Sequence, residues 1–275
     1  MKNILPYDLL VTDLDGTLLN QHGEMSARTL EALQCFQRRG GQVSLATGRM
    51  ESAVQRFAAQ IECIAPLILY NGAKIVSFQP ENTSVESFQT LHEWVLPDEK
   101  AHQAIEIILE EKKSLIIYSH SRNFVLLDTP ETEAHFSKEK IQGERVDSLD
   151  AIPLPITKLL VIDNRQDFET VEKRIAALFD EPLNHVRSES NYWEVLPMGV
   201  NKGTGLHWLM AHMNIAPERV IAFGDQLNDL SLLQEAGTGV AMGNANPQLK
   251  AIADRIAPSN AEDGLARIVE EICQA

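Results

Sequence analysis

The segment at residues 7–20, YDLLVTDLDGTLLN, joins an apolar run to two aspartates and a tight turn. The run at residues 9–11 is continuous rather than alternating, which is typical of a strand buried on both faces of a parallel sheet. Asp13 and Asp15 follow two residues apart, so on a strand their side chains would point the same way. The glycine and threonine after them can form a sharp turn, with the threonine hydroxyl bonded inside it. The segment therefore predicts a central strand with two carboxylates at its carboxyl end.

Strands and helices alternate on the C-terminal side of this segment. Ser26 is a suitable N-cap for the first helix, and Gly40 with Gly41 is a suitable end. The stretches QVSLAT (42–47) and PLILYNG (66–72) are predicted strands with a helix between them. Strands separated by single helices imply right-handed crossovers and a parallel sheet. The predicted fold class is α/β, with a Rossmann-like core.

The alternation stops after about residue 82 and returns at Lys202. The intervening pattern reads αββαβαββ, which indicates an inserted α+β cap domain with an antiparallel sheet. We therefore predict three segments: residues 1–90 as the first part of the core, 91–196 as the cap, and 197–275 as the second part of the core.

Composition restricts the classes of function. The 275 residues are 44% hydrophobic, enough for a large core, and carry a net charge of −15. That charge argues against binding nucleic acid or an anionic membrane surface, both of which need basic patches. The three cysteines are scattered and form no CxxC, which predicts reduced thiols and a cytoplasmic location. The N-terminus is a poor signal peptide, and no apolar run approaches the roughly 20 residues of a membrane span.

A second polar cluster, ATGR, follows the next predicted strand. Thr47 would end the strand and Gly48 would open a helix. A hydroxyl and the backbone N–H groups of a helix N-terminus form an anion site, although an ordinary threonine cap has the same pattern. Arg49 is either a further anion contact or a surface residue, and the sequence leaves both open.

Two further clusters lie in the C-terminal part. Lys202 lies just before a predicted helix, with Gly199 and Gly203 on either side of it. Its side chain is either an anion contact or solvated. The strand VIAF delivers Asp225 to its end, and Asn228 and Asp229 follow, with helix capping as their alternative role. Ligands of open parallel sheets bind beyond the carboxyl ends of strands, so acidic strand ends that converge there predict an oxygen-ligand Mg²⁺ site.

Together these clusters supply what phosphoryl transfer needs: a nucleophilic carboxylate, an anion-binding hydroxyl, a positive charge and metal carboxylates. In this order along the chain they resemble the haloacid dehalogenase (HAD) superfamily of phosphatases. The inserted module is similar to the type IIB cap of the Cof-like subfamily. The likeness spans nearly the whole chain and rests on these segments: DLDGT (13–17), ATGR (46–49), YNGA (70–73), EVLPMGVNKG (194–203) and GDQLND (224–229).

The resemblance implies a role for each residue that matches a motif. Asp13 would be the nucleophile that forms an aspartyl-phosphate, and Asp15 would be the general acid and base. The Mg²⁺ ligands would be Asp13, the Asp15 carbonyl and Asp225, while Asp229 would orient them. The phosphoryl oxygens would be held by the Leu14 backbone N–H, Thr47, Gly48, Lys202 and Asn228.

The expected activity is Mg²⁺-dependent hydrolysis of small phosphorylated metabolites, such as sugar phosphates or flavin, pyridoxal and pyrimidine phosphates. Two alternatives stay open: phosphoryl transfer to an acceptor other than water, as in a phosphomutase, and a phospho-accepting module similar to a receiver domain. We expect a monomer or small homo-oligomer whose cap selects the substrate. Tyr118, Arg122, Tyr192 and Trp193 are candidate cap contacts, with packing or solvation as the alternative.

Overall fold

The computed structural model describes residues 5–79, 87–179 and 185–274. Within these ranges the chain divides into two compact units. The first takes in the described residues of Met1–Gly48, Val54–His92 and Asn201–Ala275, and the second those of Arg49–Ala53 and Glu93–Val200. The role of a substrate-selecting cap, which the sequence suggests for residues 91–196, stays a prediction.

Strands and helices alternate over most of the described chain. The strands are β1 (Leu9–Thr12), β2 (Gln42–Leu45), β3 (Leu67–Leu69), β4 (Lys74–Phe78), β5 (Phe88–Glu93), β6 (Ser114–Ser119), β7 (Arg122–Val125), β8 (Glu144–Arg145), β9 (Ile156–Ile162), β10 (His185–Glu189), β11 (Tyr192–Val195), β12 (Val220–Gly224), β13 (Thr238–Ala241) and β14 (Arg255–Ile256). The α-helices are α1 (Ala27–Arg38), α2 (Glu51–Ile61), α3 (Asp98–Glu110), α4 (Pro130–Glu139), α5 (Glu169–Ala176), α6 (Lys202–Met213), α7 (Leu230–Glu235), α8 (Pro247–Ile252) and α9 (Gly264–Gln274).

A five-stranded parallel sheet organises the first unit, in the order β14-β13-β12-β1-β2. Strand β1 lies between β12 and β2, with Leu9 opposite Val220 on one side and Gln42 on the other. All four residues of β1 are buried, as its continuous apolar run predicts. The α/β fold class with a parallel core is thus confirmed. Because the strands are parallel, the carboxyl ends of β2, β1 and β12 lie at the same edge of the sheet.

Helix α1 shows how the local sequence builds the layers beside this sheet. The side chain of Ser26 accepts a hydrogen bond from the backbone N–H of Thr29, which confirms the predicted N-cap. Leu33 and Phe36 form part of its buried face, and the helix packs against α9. The longest α-helix of the described residues, α3, has 13 residues. None of the helices described here combines the length and the apolar character that a membrane crossing requires.

The segment PLILYNG departs from the predicted plan. Its strand, β3, has a single parallel bridge to the end of β2, between Ile68 and Ala46, and pairs antiparallel with β4. The chain reverses between β3 and β4 through Tyr70–Gly72, whose backbone has positive φ angles. A tight reversal of this kind leads into a hairpin partner instead of a crossover helix, so β3 belongs to a second sheet of order β3-β4-β5. Strand β4 has no counterpart in the sequence-based plan.

The second unit contains a six-stranded sheet of order β10-β11-β9-β6-β7-β8. Its neighbouring strands pair antiparallel except β7 and β8, which are parallel. The predicted order αββαβαββ is present, with the two-residue strand β8 added between α4 and β9. Alternate residues of β6, β9 and β11 share a hydrophobic cluster with residues of α3 and α5; the strand residues include Leu115, Ile117, Leu159, Val161 and Trp193.

Candidate active site

The carboxyl ends of β1 and β12 bring buried aspartates together. The backbone N–H of Asp13 donates to the carbonyl of Phe223 (3.0 Å), which extends the pairing of the two strands by one residue. Carboxylate oxygens of Asp13, Asp225 and Asp229 lie within 4.8 Å of one another, and the three residues are buried. Residues more than 200 positions apart therefore meet at the edge where the sequence predicts them to meet.

Lys202 provides the positive charge of this cluster. Its Nζ donates to Oδ1 of Asp13 and to Oδ1 of Asp229, at 2.6 Å each, and its side chain is fully buried. Burial alone would lower the pKa of Lys202, but the two carboxylate charges outweigh that effect and raise it. The ammonium therefore persists at neutral pH, and the alternative of a solvated side chain is wrong.

The start of α6 holds Lys202 in this position. The Asn201 side chain caps the helix by accepting from the backbone N–H of Thr204 (2.9 Å). Next to the lysine, a Cβ on Gly203 would lie 2.5 Å from the carbonyl oxygen of Ser231. Because only a glycine permits this approach, the first turn of α6 can lie directly against the start of α7.

Asp229 connects the ammonium to the loop after β12. While Oδ1 accepts from Lys202, Oδ2 accepts from the backbone N–H groups of Asp225 (2.9 Å) and Gln226 (3.0 Å). A Cβ on Gly224 would lie 2.4 Å from the Cβ of Asp229, so the loop closes tightly over this side chain. As the N-cap of α7, Asp229 makes no side-chain capping hydrogen bond to any residue described here. Its carboxylate instead caps the short turn just before α7, by accepting from the backbone N–H of Gln226.

The turn after β1 packs against Asp225. Gly16 has φ +80°, and a Cβ there would lie 2.3 Å from Oδ2 of Asp225. The hydroxyl of Thr17 donates to Oδ1 of Asp225 (2.9 Å), and the Gln226 side chain donates to Oδ2 (3.2 Å). The prediction that Thr17 bonds inside its own turn is wrong, because its hydroxyl reaches across to the neighbouring strand end.

The electrostatics of the cluster are those of excess negative charge. Burial raises the pKa of Asp13 well above its usual range; Lys202 opposes this shift, while Asp229, Asp225 and Asp15 add to it. Burial and the charge of Asp229 raise the pKa of Asp225 to about 6. Three clustered carboxylates facing one ammonium are suited to a bound cation.

Asp15 differs from Asp13 in its surroundings. Strand β1 ends at Thr12, so both aspartates follow the strand, and the expectation that they share one face of it is wrong. Asp13 is 7% exposed, whereas Asp15 is exposed and forms a bridge pair with Leu19. The backbone carbonyl of Leu14 accepts from the N–H groups of Thr17 and Leu19, and these hydrogen bonds stabilise the turn that contains Asp15. A buried and an exposed carboxylate therefore lie two residues apart.

Thr47 follows β2 and is buried, with its backbone N–H donating to the carbonyl of Ile68 (2.9 Å). Helix α2 begins at Glu51, so the prediction that Gly48 opens a helix is wrong. Gly48 and Arg49 lie in a bend before the helix. Any anion bound by Thr47 and Gly48 would therefore meet a strand-end loop, with the helix starting one turn later.

Asn71 lies in the YNGA segment, and the sequence assigns it no role. It is buried, its backbone N–H donates to the Thr47 carbonyl (2.9 Å), and its Oδ1 accepts from Nδ2 of Asn228 (3.0 Å). The only local signal is the following glycine, Gly72, which has φ +104°. The two asparagines are 157 positions apart, and no local sequence pattern links residues so distant.

The candidate side chains of the second unit make contacts of their own. Tyr118 and Tyr192 both hydrogen-bond the ring of His135, at 3.0 and 3.1 Å. Trp193 is fully buried in the hydrophobic cluster of that unit. Arg122 forms an exposed ion pair with a glutamate. The packing alternative therefore holds for Trp193.

Comparison with known proteins agrees with the geometry. The family model of the haloacid dehalogenase-like hydrolases matches residues 10–269. The 5-amino-6-(5-phospho-D-ribitylamino)uracil phosphatase YitU of Bacillus subtilis is 29% identical over 275 residues, which is 97% of each chain. The HMP-PP phosphatase of Escherichia coli is 29% identical over 246 residues, 88% of this chain and 86% of that protein.

Solved structures give the same result. A haloacid dehalogenase-like hydrolase from Bacteroides thetaiotaomicron has 32% sequence identity and a TM-score of 0.86, covering 97% of this chain and 99% of that one. A haloacid dehalogenase-like hydrolase from Bacillus subtilis has 26% identity and a TM-score of 0.83, covering 96% and 99%. The chain therefore belongs to the haloacid dehalogenase-like hydrolases and is a phosphatase of that superfamily.

Proposed function

We propose that this phosphatase hydrolyses phosphomonoesters of small metabolites, with Mg²⁺, through an aspartyl-phosphate on Asp13. The observation that carries the proposal is the position of Asp13. It is buried, held by the Lys202 ammonium at 2.6 Å, and clustered with Asp225 and Asp229. A fixed carboxylate next to a permanent cation and further acidic oxygens has what an attack on phosphorus needs.

The residues fit a magnesium ion. Asp229 accepts from the Lys202 ammonium and from two backbone N–H groups. Within the described residues, Asp225 accepts only from two neutral side chains, so we assign the ion to Asp225 and Asp13 in preference to Asp229. Burial is the largest cause of the raised pKa values of Asp13 and Asp225, and repulsion from neighbouring carboxylates adds to it; a divalent cation would relieve that repulsion. We assign Asp13, the Asp15 carbonyl and Asp225 as ligands. When bound, the ion supplies positive charge that offsets the phosphoryl oxygens.

In the first half-reaction a carboxylate oxygen of Asp13 forms a bond to phosphorus as the bond from phosphorus to the ester oxygen breaks. Asp15, which is exposed, donates its proton to that departing oxygen. The equatorial oxygens are held by residues that share donor groups or positive charge: the Leu14 N–H, Thr47, Gly48, Lys202 and Asn228. These donors stabilise the charge that spreads over the phosphoryl group in the transition state.

In the second half-reaction a water molecule attacks the aspartyl-phosphate. Asp15, now ionised, takes a proton from that water, and the bond between phosphorus and Asp13 breaks. The products are the alcohol and inorganic phosphate, and Asp13 and Asp15 return to their starting states. Asp229 keeps the Asp225 loop and Lys202 in position throughout.

For the substrate we propose a small phosphorylated metabolite, with the second unit selecting its organic part. The relatives' names support this class: one acts on a phosphoribitylamino uracil and another is an HMP-PP phosphatase. Sugar phosphates and flavin, pyridoxal or pyrimidine phosphates are the members to screen. A cytoplasmic location and a monomer or small homo-oligomer complete the proposal.

Replacement of Asp13 by Asn tests the nucleophile. The amide keeps the size of the side chain but cannot attack phosphorus, so hydrolysis of p-nitrophenyl phosphate should fall to background. Thermal unfolding should show that the variant is folded. Near wild-type turnover by the purified variant would exclude Asp13 as the nucleophile.

Removal of the metal tests the second part. EDTA should stop hydrolysis and added Mg²⁺ should restore it. Asp225→Asn should need a higher Mg²⁺ concentration for half-maximal rate, because it removes one of the two carboxylates assigned to the ion. Full activity in metal-free buffer would remove the cation from the proposal.

A further inference from the structure

The turn Tyr70–Gly72 between β3 and β4 has an unusual backbone. Its three consecutive residues have φ angles of 52°, 54° and 104°. The left-handed region suits glycine, but Tyr70 and Asn71 are not glycines, and two such residues in sequence are strained. Strain of this kind persists where the surroundings impose it, and it collects at functional sites.

This turn contacts the loops of the proposed phosphate-binding residues. Asn71 reaches two of them: its backbone N–H donates to the Thr47 carbonyl (2.9 Å), and its Oδ1 accepts from Nδ2 of Asn228 (3.0 Å). Its carboxamide also packs on the backbone of Gly48, where a Cβ would lie 2.9 Å from Nδ2 of Asn71. The side chain of Asn71 therefore lies between the ends of two strands of the parallel sheet.

The third loop lies against Gly72. A Cβ on Gly72 would lie 2.0 Å from the carbonyl oxygen of Asn201 and 3.0 Å from the backbone nitrogen of Lys202. The start of α6, which positions the Lys202 ammonium, thus abuts the same turn. One three-residue turn contacts the segments that carry Thr47, Lys202 and Asn228.

We propose that Asn71 is a positioning residue for phosphoryl transfer, acting chiefly through Asn228; this rests on the proposed function. A carboxamide oxygen can only accept, so Oδ1 of Asn71 fixes the NH₂ edge of Asn228 toward itself. Among the described residues, Oδ1 of Asn228 is buried without a hydrogen-bond partner. The contact with Asn71 therefore sets the rotation of the Asn228 amide, and the second N–H of that amide is offered to a phosphoryl oxygen.

The test is Asn71→Gly, with p-nitrophenyl phosphate as the probe. Glycine tolerates φ 54°, so the turn is kept while the carboxamide is removed. We expect kcat to fall about tenfold or more, and the inhibition constant of inorganic phosphate to rise, because the anion donors lose their alignment. A matched control exists: Asn214, at the C-cap of α6, has φ 54°. Asn214→Gly makes the same chemical change at the same backbone angle and should keep kcat within about twofold.

A double-mutant cycle separates positioning from a general structural effect. If Asn71 acts through Asn228, Asn71→Gly should add less than about twofold to the loss already caused by Asn228→Ala. Losses that multiply in the double variant would overturn the proposal, as would an Asn71→Gly enzyme within twofold of wild type. Failure of the proposed function would give a different result. An active Asp13→Asn enzyme would exclude Asp13 as the nucleophile, and the Asn71/Asn228 double-mutant cycle could still be measured.

Discussion

Lys158 in the second unit and Lys202 in the first are both buried, but they differ in the charge around them. In the second unit, Lys158 forms an ion pair with Glu194 at 3.0 Å and lies over the ring of Tyr118, 4.6 Å from its centroid. In the first unit, Lys202 donates to Asp13 and to a second carboxylate at 2.6 Å each, with a third carboxylate in the same cluster. The Lys158 pair is balanced in charge, whereas the Lys202 cluster has an excess of negative charge.

The difference distinguishes a structural ion pair from the proposed reactive centre. A buried charge is tolerated when a partner cancels it, and such a pair is compatible with a purely architectural role. Burial raises the pKa of Asp13 and of Asp225, and the neighbouring carboxylates raise it further; this cost persists in a fold when a bound ligand offsets it. A divalent cation is the ligand that the first unit's excess of oxygens favours.

Replacing each lysine by methionine tests this distinction, and the larger effect on catalysis is expected at Lys202. Lys202→Met should lower kcat for p-nitrophenyl phosphate by at least about 100-fold, because it removes a fixed positive charge from the phosphoryl group. Both substitutions leave a buried carboxylate without its ammonium, so both should destabilise the fold, by about 3–5 kcal/mol for a fully buried pair.

Lys158→Met is the matched control for that experiment. This variant should lose stability, which thermal unfolding measures. Its kcat for p-nitrophenyl phosphate should stay within about threefold of the wild-type value. Equal losses of kcat in the two variants would break the distinction between the lysines. The comparison should be made at saturating Mg²⁺ and below the unfolding transition of both variants.

A smaller effect is expected from two glycines with similar backbone angles. Gly16 has φ +80° and Gly23 has φ +69°, but a Cβ on Gly16 would lie 2.3 Å from Oδ2 of Asp225, whereas a Cβ on Gly23 meets nothing within 4 Å. Alanine at either position strains the backbone by about 1 kcal/mol. Gly16→Ala should in addition displace Asp225 and raise the Mg²⁺ concentration needed for activity.

Measuring Mg²⁺ dependence and thermal unfolding for both variants separates strain from displacement. Gly23→Ala should lose only stability. If Gly16→Ala kept the wild-type Mg²⁺ dependence, the contact between the turn and Asp225 would not contribute to Mg²⁺ binding.

The sequence predicts the contacts that follow from the order of parallel strands, but not those between loops far apart in the chain. The convergence of Asp13 and Asp225 was predictable, because both end apolar runs typical of parallel strands, whose carboxyl ends share one edge. Asn71 with Asn228 and Thr17 with Asp225 were not, because these pairs are 157 and 208 residues apart. Such contacts follow from the placement of β1 beside β12 and of β3 beside β2.

Local errors have local causes. Strand β4 was missed because the reversal before it uses two non-glycine residues, Tyr70 and Asn71, in a left-handed conformation that propensity does not predict. Strand β8 has two residues, too few to show an alternation of apolar and polar side chains. Gly48 was placed at a helix start because the Thr-Gly pair resembles a cap, yet α2 begins at Glu51.

The effect expected at His135 in the second unit is confined to the pH dependence of stability. Burial is the largest cause that lowers its pKa, to about 3, so the ring stays neutral between Tyr118 and Tyr192 at moderate acidity. The unfolded chain binds a proton near pH 6.5, so stability rises with pH between about 3 and 6.5 and is lost as the pH falls through that window. The loss reaches about 2 kcal/mol at a pH of about 5.

His135→Gln removes this titration and should flatten the pH dependence of unfolding in that window. Urea unfolding at about pH 5 and about pH 7 measures the slope for the wild type and the variant. An unchanged slope would mean that His135 has the same pKa in the folded and the unfolded protein.

The central claim is that Asp13, in the charge excess around Lys202, becomes covalently phosphorylated. Asp15→Asn should retain the first half-reaction with p-nitrophenyl phosphate, whose leaving group needs little proton donation, and stall before hydrolysis. Acid quench followed by mass analysis of peptides should then find one phosphoryl group on the peptide that contains Asp13. Release of p-nitrophenol by this variant with no phosphoryl group on that peptide, or with one on a different peptide, would contradict the account.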